Sequence, residues 1–361
     1  MSHDAPPSAV DWDLAGRVAR VVAGRDPLSG SYLSASLERD FAEVTEEAES
    51  IVTGFTGLTM PGGVRSGVVD RHGWVAANIG SMKRLLAPLT DRLAERMSRS
   101  PFAPVGRRLA GAEMGVLLGY MGQRVLGQYD LLVPEASDTP DAVYYVGPNI
   151  LTLEKRYAFR PRDFRLWIAV HEVTHRAQFT GVPWLRSYFL SLVEQSLELV
   201  EPDPKRLVRA LGRASEELRA GRNPLDSGGL VALVATPEQQ GIIGRMQALM
   251  SLLEGHGTWV MNRVGDDSIP GAERMDRVLH TRRRSRGLHR QFQRLLGIEM
   301  KLRQYEIGER FVAAVTTAAG PDVLEVAWRG PEWLPTMEEL DDPTDWLQRV
   351  EVPALAAPGG R

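Results

Sequence analysis

Cysteine is absent from all 361 residues. That excludes disulfides, iron–sulfur clusters, thiolate zinc sites and cysteine nucleophiles, and leaves His, Asp and Glu as the side chains able to hold a metal. Charge of one sign is not in excess. The 43 Lys and Arg face 46 Asp and Glu, a net charge of −3. Nothing draws such a chain as a whole onto phosphate backbones, and no nucleic-acid partner is expected. Apolar runs fall short of the roughly eighteen residues that a membrane span requires. The opening MSHDAPPSAVDWDLAGRVAR has neither the basic start nor the apolar stretch of a signal peptide. The expectation is a cytoplasmic protein with no membrane partner. Hydrophobic residues make up 43% and charged residues 25%, an ordinary globular balance that excludes a disordered or fibrous chain.

Apolar residues recur at helical spacing over 31–53, 74–97 and 109–126, with Pro88 expected to kink the second of these helices. The pattern then changes. QYDLLVPE, AVYYVGPNI and LTLEKRYAF are short β-branched or aromatic runs punctuated by Pro, Gly and Asp, which predicts a small sheet over 129–159. Helical periodicity returns at 162 and dominates to about 319, interrupted by loops at 222–230 and 264–271. A Pro- and acid-rich stretch follows over 330–343, with one last short helix at 344–350. The fold expected is mainly α with a small β-sheet. An N-terminal helical region over 1–128 precedes a region over 129–361 that holds the sheet and a helical bundle, and the two can form one continuous domain.

The informative helix reads RLWIAVHEVTHRAQFTG and contains His171-Glu172-Val173-Thr174-His175, an HExxH pentapeptide. Residues four apart differ by about 40° around a helix, so both imidazoles leave the same face and can reach one metal ion. Glu172, about 100° away from His171, lies beside that ion, where it can take a proton from water and return it to a leaving amine. The apolar LWIAV before the motif fits a buried helix. The bland alternative is a pair of solvent-facing histidines.

A catalytic zinc site takes three protein ligands and leaves one position open. The third ligand does not follow the motif directly, because position 178 is Gln, 181 is Gly, and no His occurs again until 256. Glu254, in QALMSLLEGHGTWVMN, is the stronger candidate: a carboxylate in an apolar helical run is costly to bury without a partner. His256 competes. Two residues along a helix is about 200°, so a regular helix cannot offer both to one ion. A His256 that is not a ligand is a candidate donor to a developing oxyanion, or simply a histidine at a helix terminus. Tyr144 and Tyr145 are further candidate oxyanion donors.

HEVTHRAQF, LLEGHGTWVMN and LLGIEMKLRQYEIGERFV resemble segments of the zincin-like metallopeptidase type two family, found mainly in actinobacteria. The order of a VDW segment, YVGPNI, HExxH, EGH and a closing GxEMKxRQY block extends the resemblance over nearly the whole chain. One branch is associated, by gene context, with organisms that make a deazaflavin redox cofactor. The resemblance implies a zincin-like helical architecture and a zinc hydrolase, with His171 and His175 as metal ligands, Glu172 as the catalytic carboxylate, and the EGH segment on Glu254, Gly255 and His256. It supplies no substrate. Glu299 or Arg303 in the closing block could orient a metal-bound group, or the block could be an ion-paired helix face. Three functions therefore compete: a metallopeptidase with a peptide substrate, a zinc hydrolase of a small amide in cofactor metabolism, and a metal-stabilised binding protein without turnover.

Overall fold

The computed structural model describes residues 8–26, 28, 31–97, 100–131, 142–198, 236–283 and 298–351. The expected loop at 222–230 and most of the basic stretch 281–290 lie outside the described residues, as do the side chains of 298–305, Glu299 and Arg303 among them. The fold is mostly helical with one small sheet, as the sequence predicts. It divides into two compact units, Met1–Gly181 with Arg263–Met275 and Val182–Asn262 with Asp276–Arg361.

In the first unit the described helices are α1 (Trp12–Ala23), α2 (Leu37–Thr56), α3 (Arg71–Met97), α4 (Ala103–Gly122), α5 (Gly147–Tyr157) and α6 (Pro161–Gly181). Helix α1 starts where Asp11 caps it by accepting from Leu14 N at 2.9 Å, which satisfies one of the amides a helix start leaves open. Helix α3 runs through Pro88 without ending. Helices α1 and α4 lie side by side in parallel. A Cβ built on Gly111, Gly115 or Gly119 would fall 2.4, 2.6 or 2.5 Å from the carbonyl oxygen of Asp11, Ala15 or Ala19. The two backbones approach closely because those positions carry no side chain.

The sheet has strand order β1-β3-β2, with β1 (Arg65–Val69) parallel and β2 (Gly127–Tyr129) antiparallel to the central β3 (Ala142–Val146). It differs from the expected sheet in two ways. Strand β1 comes from a segment that the sequence left unassigned. Residues 147–157, read as strand, form α5 instead: Pro148 sits in its first turn, where a missing N–H costs nothing, and Ile150, Leu151, Leu153 and Glu154 are buried at helical spacing. Ala158, in the left-handed conformation at φ 48°, ends that helix and turns the chain into α6.

Helix α6 packs on α2. Leu166, Ala169, Val170 and Val173 are all buried, the apolar stripe read from the sequence. Two arginines secure it. Arg165 forms a bidentate pair with Glu154, Nε–Oε1 2.8 Å and Nη2–Oε2 3.1 Å, and also bonds Asp40 of α2. Burial raises the Glu154 carboxyl above its ordinary range, with Arg165 opposing the rise. Arg176, with no exposed surface, donates to Pro61 O and Gly62 O at 3.2 Å each and lies 3.3 Å from Glu49 Oε1.

The second unit contains α7 (Leu185–Glu198), most of α8 (Pro237–Ser268), the end of α9 (Ala272–Arg283), α10 (Ile298–Ala319) and short helices Leu324–Ala327, Met337–Asp341 and Pro343–Arg349. Residues 264–271, expected as loop, are largely helical. Helix α8 runs on to Ser268 across a kink where Gly265 adopts φ 52°, a conformation that glycine takes without steric cost. Near the C-terminus, Trp346 is fully buried against Phe311, ring centroids 5.3 Å apart, and its indole N–H donates to Trp333 O at 2.9 Å.

Candidate metal centre

Helix α6 presents His171 and His175 one turn apart, with ring centroids 4.7 Å from each other and planes at 81°. Both side chains are half-buried. His175 Nδ1 lies 3.0 Å from Gln178 Oε1, and Gln178 is itself fully buried. With the proton on Nδ1, the amide oxygen accepts it, and the lone pair of Nε2 is left for a metal. Read from the sequence, this glutamine marks only the absence of a histidine at position 178. An i, i+3 amide following a ligand histidine was the available signal.

Glu172 is 8% exposed and lies against the edge strand β2, where Gly127 is its neighbour. Tyr145, on β3 opposite Gly127, is wholly buried. Its ring stacks on Phe41 with centroids 3.9 Å apart, and its hydroxyl lies 2.9 Å from Thr45 Oγ1. Burial pushes the Tyr145 phenol far above its ordinary value. The hydrogen bond with Thr45 works against the rise, and the negative charge of Glu172 adds to it. The phenol therefore stays protonated. Burial also raises the Tyr144 phenol, with Asp130 adding to it.

Helix α8 carries Glu254 and His256, which are 5% and 2% exposed. Neither is near a helix end, because α8 continues to Ser268. That removes the reading of His256 as a helix-terminal histidine. Its ring lies 6.0 Å from that of Trp259 and 5.4 Å from that of Trp328. Between the two, Gly255 meets α10 backbone to backbone: a Cβ there would fall 2.2 Å from Gly308 C, and one on Gly308 would fall 1.8 Å from Ser251 O. The EGH segment is thus held by a crossing that no side chain could enter.

His171, His175 and Glu254 offer ligand atoms that all lie within 4.8 Å of one another, the one such group of three among the described residues. Four-coordinate zinc, with bonds of about 2.0–2.2 Å, places its ligand atoms roughly 3.5 Å apart, so this set of two imidazoles and a carboxylate fits the ion with small side-chain rotations. His256, two residues from Glu254, is outside the group, as the helical phase requires.

A crystal structure from Chloroflexus aurantiacus, described as that of a candidate hydrolase with a novel fold, superposes with a TM-score of 0.70 at 33% sequence identity, covering 95% of this chain and 99% of that one. No curated protein matches the sequence. The family described as zincin-like metallopeptidase matches residues 10–347, a span that includes the HExxH helix and the EGH segment, and the chain belongs to that family.

Proposed function

We propose that the protein is a zinc-dependent hydrolase that cleaves peptide bonds, with His171, His175 and Glu254 as the metal ligands and Glu172 as general base. The observation that carries this reading is the convergence of two imidazoles and one buried carboxylate, with a second carboxylate one residue after the first ligand. Zinc held there would supply a Lewis acid that makes water acidic near neutral pH and polarises a substrate carbonyl. The chain's own residues do the rest. The Gln178 amide holds the His175 ring in one tautomer and orientation. Glu172 accepts the proton of the attacking water and delivers it to the departing amine.

The test is metal analysis of the purified protein together with hydrolysis of a pool of internally quenched peptides. One zinc per chain, lost in the His171→Ala, His175→Ala double variant, and peptide cleavage lost in Glu172→Gln are the expected results. A zinc-loaded protein whose wild type and Glu172→Gln forms behave alike on every peptide would leave a binding protein as the reading.

A further inference from the structure

Strand β2 follows helix α6 for a short distance. Tyr129 stacks over Phe179, ring centroids 6.1 Å apart. Residues two apart on a strand share a face, so Gly127 looks toward α6 as Tyr129 does. Residues 172 and 179 also share a face, seven residues or about 10.5 Å apart along the helix. Where the strand meets Phe179 it carries a tyrosine, and where it meets Glu172 it carries nothing. Gln128, between them, turns the other way and accepts from Trp74 Nε1 at 2.7 Å.

The missing side chain is occupied space. A Cβ on Gly127 would fall 2.5 Å from Glu172 Cγ and 2.8 Å from both its Cδ and Oε1. All three nearest atoms belong to that one side chain. Glycine is not required here by a left-handed backbone, since Gly127 is not among the positive-φ residues. Fully buried Tyr145 stands opposite on β3, and Glu172 itself is 8% exposed, so the acid has little room to retreat.

We propose that Gly127 is a positioning residue for Glu172: its bare backbone forms the wall against which the carboxylate is held, and any side chain at 127 drives the carboxylate off its place. This rests on the reading of Glu172 as general base. The first test is structural and thermal and needs no substrate. In a crystal structure of Gly127→Ala the Glu172 carboxyl carbon is displaced by about 1 Å or more, while β2 keeps its pairing with β3. The loss in melting temperature caused by Gly127→Ala disappears when Glu172→Ala is also present, because that change removes all three clashing atoms. If Gly127→Ala alone does not fold while the double variant does, the same conclusion follows. A carboxyl group that stays within about 0.5 Å of its wild-type place, or an equal thermal cost in both backgrounds, overturns the proposal.

The second test is kinetic, with the zinc-loaded protein and the internally quenched peptides. Misplacing a reacting group by about 1 Å costs about 10²-fold, so kcat falls by that factor, zinc content is unchanged, and KM stays within roughly threefold. Unchanged kcat in a variant with a displaced carboxylate overturns the positioning role. Failure of the wild type to cleave any peptide defeats the proposed function instead, and leaves the structural test to decide whether Gly127 fixes the acid.

Discussion

Glu172 and Glu254 are both buried acids, and their roles separate by what each would lose on substitution. Glu172→Gln is nearly isosteric but takes no proton, so it should retain zinc and fold while hydrolysis falls by about 10²–10⁴-fold. Glu254→Ala should lower zinc affinity sharply, whereas His256→Ala should retain zinc. Zinc titration of the two variants separates these outcomes, and the opposite pattern would make His256 the ligand. A third acid tests linkage. Burial raises the Glu339 carboxyl, but the hydrogen bond from Arg349, the Thr336 backbone N–H and the arginine's charge outweigh it and hold the group below its ordinary 4.5. A depressed folded value means stability that is present above pH 4.5 and lost as pH falls through the lower folded value. Glu339→Gln should therefore destabilise at pH 7, by about 1 kcal/mol once the partial exposure of Arg349 is discounted. The difference from wild type should close in acid, as read by denaturant melts at both pH values.

At the level of elements, glycine decides which helices can touch. Gly115 brings α4 onto α1, and its Cβ would lie 2.6 Å from Ala15 O and 2.8 Å from Val18 Cβ. Two backbones cannot move apart cheaply along a whole helix pair, so Gly115→Ala should cost about 1–3 kcal/mol as overpacking. Gly54, inside α2, has nothing within 4 Å of its Cβ position. There the helix gains without a clash, and Gly54→Ala should stabilise by about 0.4–1 kcal/mol. Thermal melts of the two variants should shift in opposite directions. Equal shifts would mean that propensity, and not contact, governs both sites.

For the whole molecule, the proposed ligands lie on helices that are 79 residues apart in sequence at Glu254 and His175. An ion binding all three stabilises the folded chain over the unfolded one, by about 2.7 kcal/mol at a free concentration a hundred times Kd. Chelation should lower the melting temperature of the wild type and leave that of the His171→Ala, His175→Ala double variant unchanged. Among the described residues no helix is long and apolar enough to cross a membrane, in keeping with the absence of long apolar runs in the sequence.

Local information was enough for α6. Its period, its apolar stripe and the four-residue histidine spacing are all properties of one helix, and Glu254 stands out because a carboxylate in an apolar run needs a partner wherever the run goes. Local information failed where partners are distant. The RSGVV of β1 is a strand because β3 pairs with it, and the run at 147–157 satisfies strand and helix patterns alike until its buried residues are known. The grouping of Glu254, and not His256, with the two histidines joins residues 79 apart in sequence, beyond the reach of helical spacing. The grip of Gln178 on His175, and the hollow at Gly127 that receives Glu172, join a helix to its own next turn and to a strand 45 residues earlier. The sequence alone determined the chemistry available, since residue type and helical spacing fix which donors can converge. Only the tertiary structure decided which donors meet and what holds them there, because those contacts are set by packing between segments that sequence separation does not order.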